Sequence, residues 1–176
     1  MKELLIGRLI EGNRRYQAES DAAIREKTAL EGQKPWAIVV CCSDSRVIPE
    51  EIFHASLGEL FVIRVAGNVL DDHQLGSVEY AAGHLGCSLV ILLGHTRCGA
   101  MGAALEGGGD GFIKSITDEI ALAIGEERDP LAACEKNVAH GVARLRREFA
   151  NHPEAGEARI VGAVYDVFSG EVRWLD

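Results

Sequence analysis

Four short runs rich in apolar and β-branched residues constrain this chain more than any other feature: 36–41 (WAIVVC), 60–65 (LFVIRV), 88–93 (SLVILL) and 159–165 (RIVGAVY). None alternates polar with apolar residues, as a strand with one wet face does. Each therefore reads as a strand buried on both sides. Helical signals separate them. Asp71-Asp72 offers an N-cap for a helix over 73–86, and Asp129-Pro130 puts a cap and a first-turn proline ahead of a helix over 130–150. Residues 98–106, which end at a glycine run (Gly107 to Gly109), and residues 112–125 are further helices. After the turn at Ser169-Gly170, residues 171–175 read as a short edge strand. Buried strands alternating with helices specify an α/β fold. The expectation is a mainly parallel sheet of about four strands plus a short antiparallel edge strand, flanked by helices on both faces.

The first 34 residues differ in character. Leu4, Leu5, Leu9, Ile10 and Tyr16 fall at helical spacing within 2–18, a second helix is expected near 21–30, and Pro35 ends the pattern. The expected organisation is one domain over 1–176, with 1–34 as an N-terminal helical arm and 35–176 as the core. A chain of 176 residues can bury a core without disulfides. Its net charge of −9 argues against nucleic acid as a partner, because phosphate binding needs a basic patch. Only Arg144, Arg146 and Arg147 gather positive charge, and they are expected on the solvated face of a helix. No apolar run is long enough to span a bilayer, so no membrane association is expected. The first residues spread their charges and show no small-residue cleavage site, so the cytoplasm is the expected compartment.

Five cysteines, Cys41, Cys42, Cys87, Cys98 and Cys134, suit metal binding or catalysis better than a disulfide framework. Two segments stand out: Cys42-Ser43-Asp44-Ser45-Arg46 and His95-Thr96-Arg97-Cys98. Each begins just past the carboxyl end of a predicted strand, the edge where open α/β sheets build their sites. If those ends are adjacent, Cys42, His95 and Cys98 converge. Thiolate and imidazole are favourable zinc ligands, and three of them leave a fourth position open for catalysis. Asp44 stands two residues from a proposed ligand, and Arg46 can hold its carboxylate in a bidentate pair. The pair is read as catalytic, with Asp44 kept ionised and accepting a hydrogen bond. Cys41, Cys87 and Cys134 are read as core residues. His54, His73, His84, His140 and His152 show no partner spacing and are read as surface or helix residues.

On these motifs the sequence resembles the β-class carbonic anhydrases over nearly its whole length. CSDSR at 42–46 and GHTRCG at 94–99 match the family's two metal motifs. GELFVIRVAGN at 58–68, SVEYA at 77–81, VYDVFSG at 164–170 and LIEGNRRY at 9–16 resemble its second strand and loop, next helix, last hairpin and N-terminal helix. The resemblance implies one Zn²⁺ per chain on Cys42, His95 and Cys98, with the Asp44–Arg46 dyad beside it. It implies reversible hydration of carbon dioxide to bicarbonate and a proton, by water activated on that zinc. It also implies a homodimer or homotetramer, with the N-terminal arm packed on a partner subunit and the substrate cleft at the subunit interface. Gln33, nine positions before Cys42, matches a glutamine that donates to bicarbonate. Phe61, Ala66 and Tyr80 match apolar cleft positions, some of them supplied by the neighbouring subunit, and the backbone N–H of Gly99 matches a contact to a substrate oxygen.

Two other readings stay open at this point. One is hydrolysis of COS or CS₂ on the same metal. The other is a non-catalytic zinc or redox-sensing module, which a closed set of four ligands would favour. A last expectation concerns regulation. In one subset of the family an Asp fills the fourth zinc position, stabilised by bicarbonate in a pocket that uses a Trp three residues before the first Cys. Here that position is Val39, and Trp36 is displaced by an odd number of residues, which reverses its face along a strand. Arg64 and Tyr165 match the pocket's other two positions. Asp44 is therefore expected on Arg46, with Arg64 free to pair with a carboxylate.

Overall fold

The computed structural model describes residues 2–153 and 155–175. The chain divides into two compact units, Met1–Gln33 and Lys34–Asp176. The first holds two helices, α1 (Lys2–Glu19) and α2 (Ala22–Glu31). The carboxylate of Asp21 caps α2 by accepting from the amides of Ala23 and Ile24 at 2.8 and 3.2 Å. Neither helix buries a residue, and Leu4, Leu5, Ile6, Leu9, Ile10 and Tyr16 are all exposed.

The second unit is built on a five-stranded sheet: β1 (Ala37–Cys41), β2 (Leu60–Arg64), β3 (Leu89–His95), β4 (Arg159–Tyr165) and β5 (Val172–Leu175). The spatial order is β2-β1-β3-β4-β5. The first four run parallel and β5 pairs antiparallel with β4 through a short hairpin. The helices are α3 (Pro49–Ile52), α4 (Asp72–Gly83), α5 (Gly99–Leu105), α6 (Ile113–Ile124) and α7 (Pro130–Phe149). Local chemistry sets their starts. Asp71 forms a full capping box with Gln74, and Asp129 caps α7 with Pro130 in its first turn.

Alternate side chains of the buried strands feed two cores. On one face Ile38, Val40, Val90, Leu92, Ile160 and Val164 meet Val78 and Ala81 of α4 and Val138, Val142 and Leu145 of α7. Each such side chain contributes roughly 1.5–3 kcal/mol of burial. The long helix lies close on the sheet: a Cβ on Gly141 would run into Leu92 Cδ2. On the other face Val39, Cys41, Ile91, Leu93 and Ala163 pack with Val47 and with Ile52 and Phe53 of the α3 region. Among the described residues of this unit, that face packs against Val47, the single turn of α3 and the segment that follows it. A smaller core of Met101, Ile120, Ile124 and Ala133 joins α5, α6 and α7.

Two expectations are corrected. β1 starts at Ala37, leaving Trp36 outside the strand and half exposed. Arg144 is not on a solvated face: its side chain is 23% exposed and its guanidinium bridges Glu119 and the Leu70 carbonyl at 2.9 and 2.8 Å. Arg146 and Arg147 are exposed. Among the described residues no helix is long and apolar enough to cross a membrane.

Candidate metal centre and active site

The chain leaves β1 for β2 on one side, then crosses back to place β3 on the other. The carboxyl ends of β1 and β3 therefore form the topological switch point, where the two connections diverge and leave a crevice. Cys41 is level with Leu93 across this pair, so Cys42 and His95 leave the sheet side by side. The turn after β3 brings Cys98 to the N-cap position of α5. The ligand atoms of Cys42, His95 and Cys98 all lie within 4.8 Å of one another, with the two sulfurs 4.0 Å apart. Among the described residues this is the one cluster of His, Cys, Asp or Glu placed to hold a metal.

The donor set fits zinc. His95 is 1% exposed, and its Nδ1 lies 3.0 Å from the Thr96 carbonyl. An N–H there orients the ring and leaves the lone pair on Nε2. That Nε2 is buried with no hydrogen-bond partner, an expensive state unless a cation takes the lone pair. The Cys42 thiol is held well below its usual range. The Cys98 thiol favours its thiolate most, helped by His95 and the amides of Asp44 and Gly67, against the cost of burial. Cys98 is pushed up, because it keeps the proton facing that thiolate and is itself desolvated; the amides of Met101 and Ala100 oppose this. Two sulfurs that compete for one proton are a ready pair of anionic ligands once a divalent cation replaces it.

The Gly67 amide donates to Cys42 Sγ at 3.3 Å. Its position demands glycine: φ is +69°, and a Cβ would lie 2.7 Å from Ile120 Cδ1. Asp44 and Arg46 form the expected bidentate pair, Nε to Oδ1 at 2.9 Å and Nη2 to Oδ2 at 2.7 Å, and the Arg46 amide adds a bond to Oδ1 at 3.0 Å. These bonds hold the Asp44 carboxyl far below the usual carboxylate range. Arg46 Nη2 also donates to the Arg97 carbonyl at 3.1 Å. Arg97 has φ of +57°, an uncommon conformation for a residue with a side chain.

Other expected residues fall as follows. Phe61 on β2 and Tyr80 on α4 face each other with centroids 6.1 Å apart, and Tyr80 stacks on His84 at 5.4 Å. Ala66 opens the single 3-10 turn Ala66–Asn68 that carries Gly67, and Gly99 is the exposed first residue of α5. Gln33 is the last residue of the first unit. Cys41, Cys87 and Cys134 are buried core residues. Arg64 departs from expectation. Among the described residues it donates not to a carboxylate but to the carbonyls of Cys42 and Asp44 at 3.3 and 2.7 Å, bracing the loop that carries the candidate ligand and the dyad. Spacing did not announce the contributions of Gly67, Arg97 and Asn137, whose Nδ2 donates to the Gly67 carbonyl at 2.9 Å. The one available signal was Gly67 itself, within the Ala-Gly-Asn turn.

A mainly parallel sheet whose switch point carries two cysteine sulfurs, an imidazole and an Arg-clamped carboxylate defines a metal-dependent α/β enzyme. The sequence profile described as Carbonic anhydrase matches residues 37–172, and the chain belongs to that family, in its β class. Carbonic anhydrase 2 of Mycobacterium tuberculosis is 35% identical over 92% of this chain and 87% of its own length. A carbonic anhydrase of Pseudomonas aeruginosa is 34% identical over 96% of this chain and 86% of its own. Among solved structures, the β-carbonic anhydrase CafA of Aspergillus fumigatus superposes with a TM-score of 0.80 at 27% identity, covering 97% of this chain and 90% of that one.

Proposed function

We propose that this protein catalyses the reversible hydration of carbon dioxide to bicarbonate and a proton, with one zinc ion held by Cys42, His95 and Cys98. The observation that carries this reading is the buried, unpartnered Nε2 of His95 facing two sulfurs within 4.8 Å, beside a carboxylate committed to an arginine. Zinc bound there supplies a Lewis acid that makes water a nucleophile near neutral pH. The residues of the chain do the rest. Asp44, ionised by Arg46, has no proton to give. It acts as an acceptor that orients a water O–H and aims the oxygen lone pair at the substrate carbon. Arg46, anchored on the Arg97 carbonyl, keeps Asp44 from turning towards the cation. Phe61, Ala66 and Tyr80 supply the apolar wall that carbon dioxide needs, some of it from a neighbouring subunit, and the Gly99 N–H supplies a donor for the oxyanion. A closed structural site needs four ligands, and only three converge among the described residues. Stopped-flow hydration of carbon dioxide is expected to show turnover that a chelator abolishes and added zinc restores. A rate no higher than the buffer background with zinc loaded would overturn the assignment.

We also propose a homodimer or homotetramer. The support is the first unit, whose α1 leaves Leu4, Leu5, Leu9 and Ile10 more than half exposed. Four such side chains on one helix are costly to leave in water and fit an apolar partner face. Sedimentation is expected to give a species at least twice the chain mass of 19.0 kDa. An active monomer at micromolar concentration would refute it.

A further inference from the structure

The long helix α7 reaches the metal centre without supplying a ligand. Cys134 and Asn137, one turn apart on one face, both touch the loops that do supply them. The Cys134 thiol approaches the His95 carbonyl at 3.4 Å. Asn137, 6% exposed, donates from Nδ2 to the Gly67 carbonyl at 2.9 Å. Gly67 is held at its other end too, because its N–H, on the preceding peptide unit, donates to Cys42 Sγ at 3.3 Å. The residue between the two bonds sits at φ of +69°, where an added Cβ would run into Ile120 and crowd Ala100. Three links thus run in series from α7 to a ligand sulfur: Asn137 amide, Gly67 backbone, Cys42 thiolate.

We propose that Asn137 is a positioning residue of the zinc centre, fixing through Gly67 the N–H···S hydrogen bond that the Cys42 thiolate accepts. An N–H aimed at a thiolate draws charge off the sulfur and fixes where its lone pairs point. Partners of this kind around a metal typically govern affinity by 10–100-fold. Asn137 lies 95 residues from Cys42 in sequence, and its described hydrogen bond goes to the Gly67 carbonyl, not to a metal ligand or the dyad. Its role follows from the chain of bonds alone. A purely structural role, satisfying a buried carbonyl, would alter stability and leave the metal as it was.

The inference rests on the zinc reading above, and the test separates the two. Zinc affinity is measured by competition with a chromogenic chelator, and cobalt-loaded protein is examined for its thiolate-to-metal absorption band. Asn137→Ala is expected to weaken zinc binding about 10–100-fold and to shift the cobalt band. Asn137→Asp keeps the side-chain volume, replaces the donor by an acceptor when ionised, and is expected to act in the same direction if the alanine variant folds poorly. Leu145→Ala, a fully buried core truncation two turns further along α7, is expected to lower the melting temperature while leaving both metal readouts at wild type. Asn137 variants with wild-type zinc affinity and an unshifted band would overturn the proposal. A Leu145→Ala protein that loses zinc as strongly would do the same. Wild-type protein that binds no zinc would instead overturn the metal centre itself.

Discussion

Cys42→Ser, His95→Ala and Cys98→Ser are each expected to abolish stoichiometric zinc and, with it, hydration of carbon dioxide. The loss should exceed the ~100-fold that removal of an outer partner costs, because a site of three protein ligands has no spare donor. His95 ends β3 and the two cysteines follow β1 and β3 at the same end of the sheet, with their sulfurs 4.0 Å apart. Removing one ligand leaves a pair that cannot enclose the cation. Serine in place of either cysteine keeps the size but offers a hydroxyl that stays protonated at neutral pH. Alanine at His95 also leaves a hole at a position only 1% exposed, so that variant is expected to lose stability as well as metal. Elemental analysis of purified protein checks the assignment directly. One zinc per chain is expected in the wild type, and full occupancy in any two of the variants would refute the ligand set.

Asp44→Ala is expected to keep zinc and to lower turnover at neutral pH by roughly 10²–10⁴-fold, the range for loss of a positioned acid–base group. Arg46→Ala should fall in the same direction, since the carboxylate loses the two side-chain bonds that hold it off the metal and on its orienting task. A third bond comes from the Arg46 backbone, so the alanine variant retains part of the restraint. The carboxyl is held far below its usual range chiefly by the Arg46 side chain. The sign is that of a depressed acid. The pair's contribution is complete above the ordinary carboxylate range near pH 4 and disappears only as the pH falls well below it. Turnover that changes between pH 6 and 9 in the wild type therefore reports a group other than Asp44. Stopped-flow rates across that window, together with zinc content, test the dyad. Wild-type turnover in both variants would reduce it to a structural pair.

The metal ligands were legible because their chemistry and their place coincide. Cys42 and His95 follow apolar runs that end in the open edge of the sheet, and zinc favours their side chains. The dyad was legible because Asp44 and Arg46 are two residues apart and pair within one turn. Arg64 was misread for the opposite reason. Sequence shows a cation near the site, but the carbonyls of Cys42 and Asp44 that it braces are backbone groups with no signature of their own. The α3 turn has no periodic signature, because four residues are too few to show a helical period, although Pro49 with Glu50 and Glu51 suits a helix start. Arg144 was expected in solvent because its neighbours Arg146 and Arg147 are charged. Helix geometry instead turns it towards Glu119 and the Leu70 carbonyl.

By itself, then, the sequence determined the fold class, the helix starts at Asp71 and Asp129, and the choice of Cys42, His95 and Cys98 as the metal-ligating candidates, because period, capping and ligand chemistry are local properties. The tertiary structure decided the rest. Strand order put β1 beside β3 and so turned two distant motifs into one site. The left-handed backbone at Gly67 and Arg97 aimed an amide at a thiolate and a carbonyl at a guanidinium. The position of α7 brought Asn137 to the Gly67 peptide. Those bonds join residues 25 to 70 positions apart, and backbone groups carry one side of each. A backbone amide or carbonyl is the same at every residue, so only the folded arrangement can say which one a side chain finds.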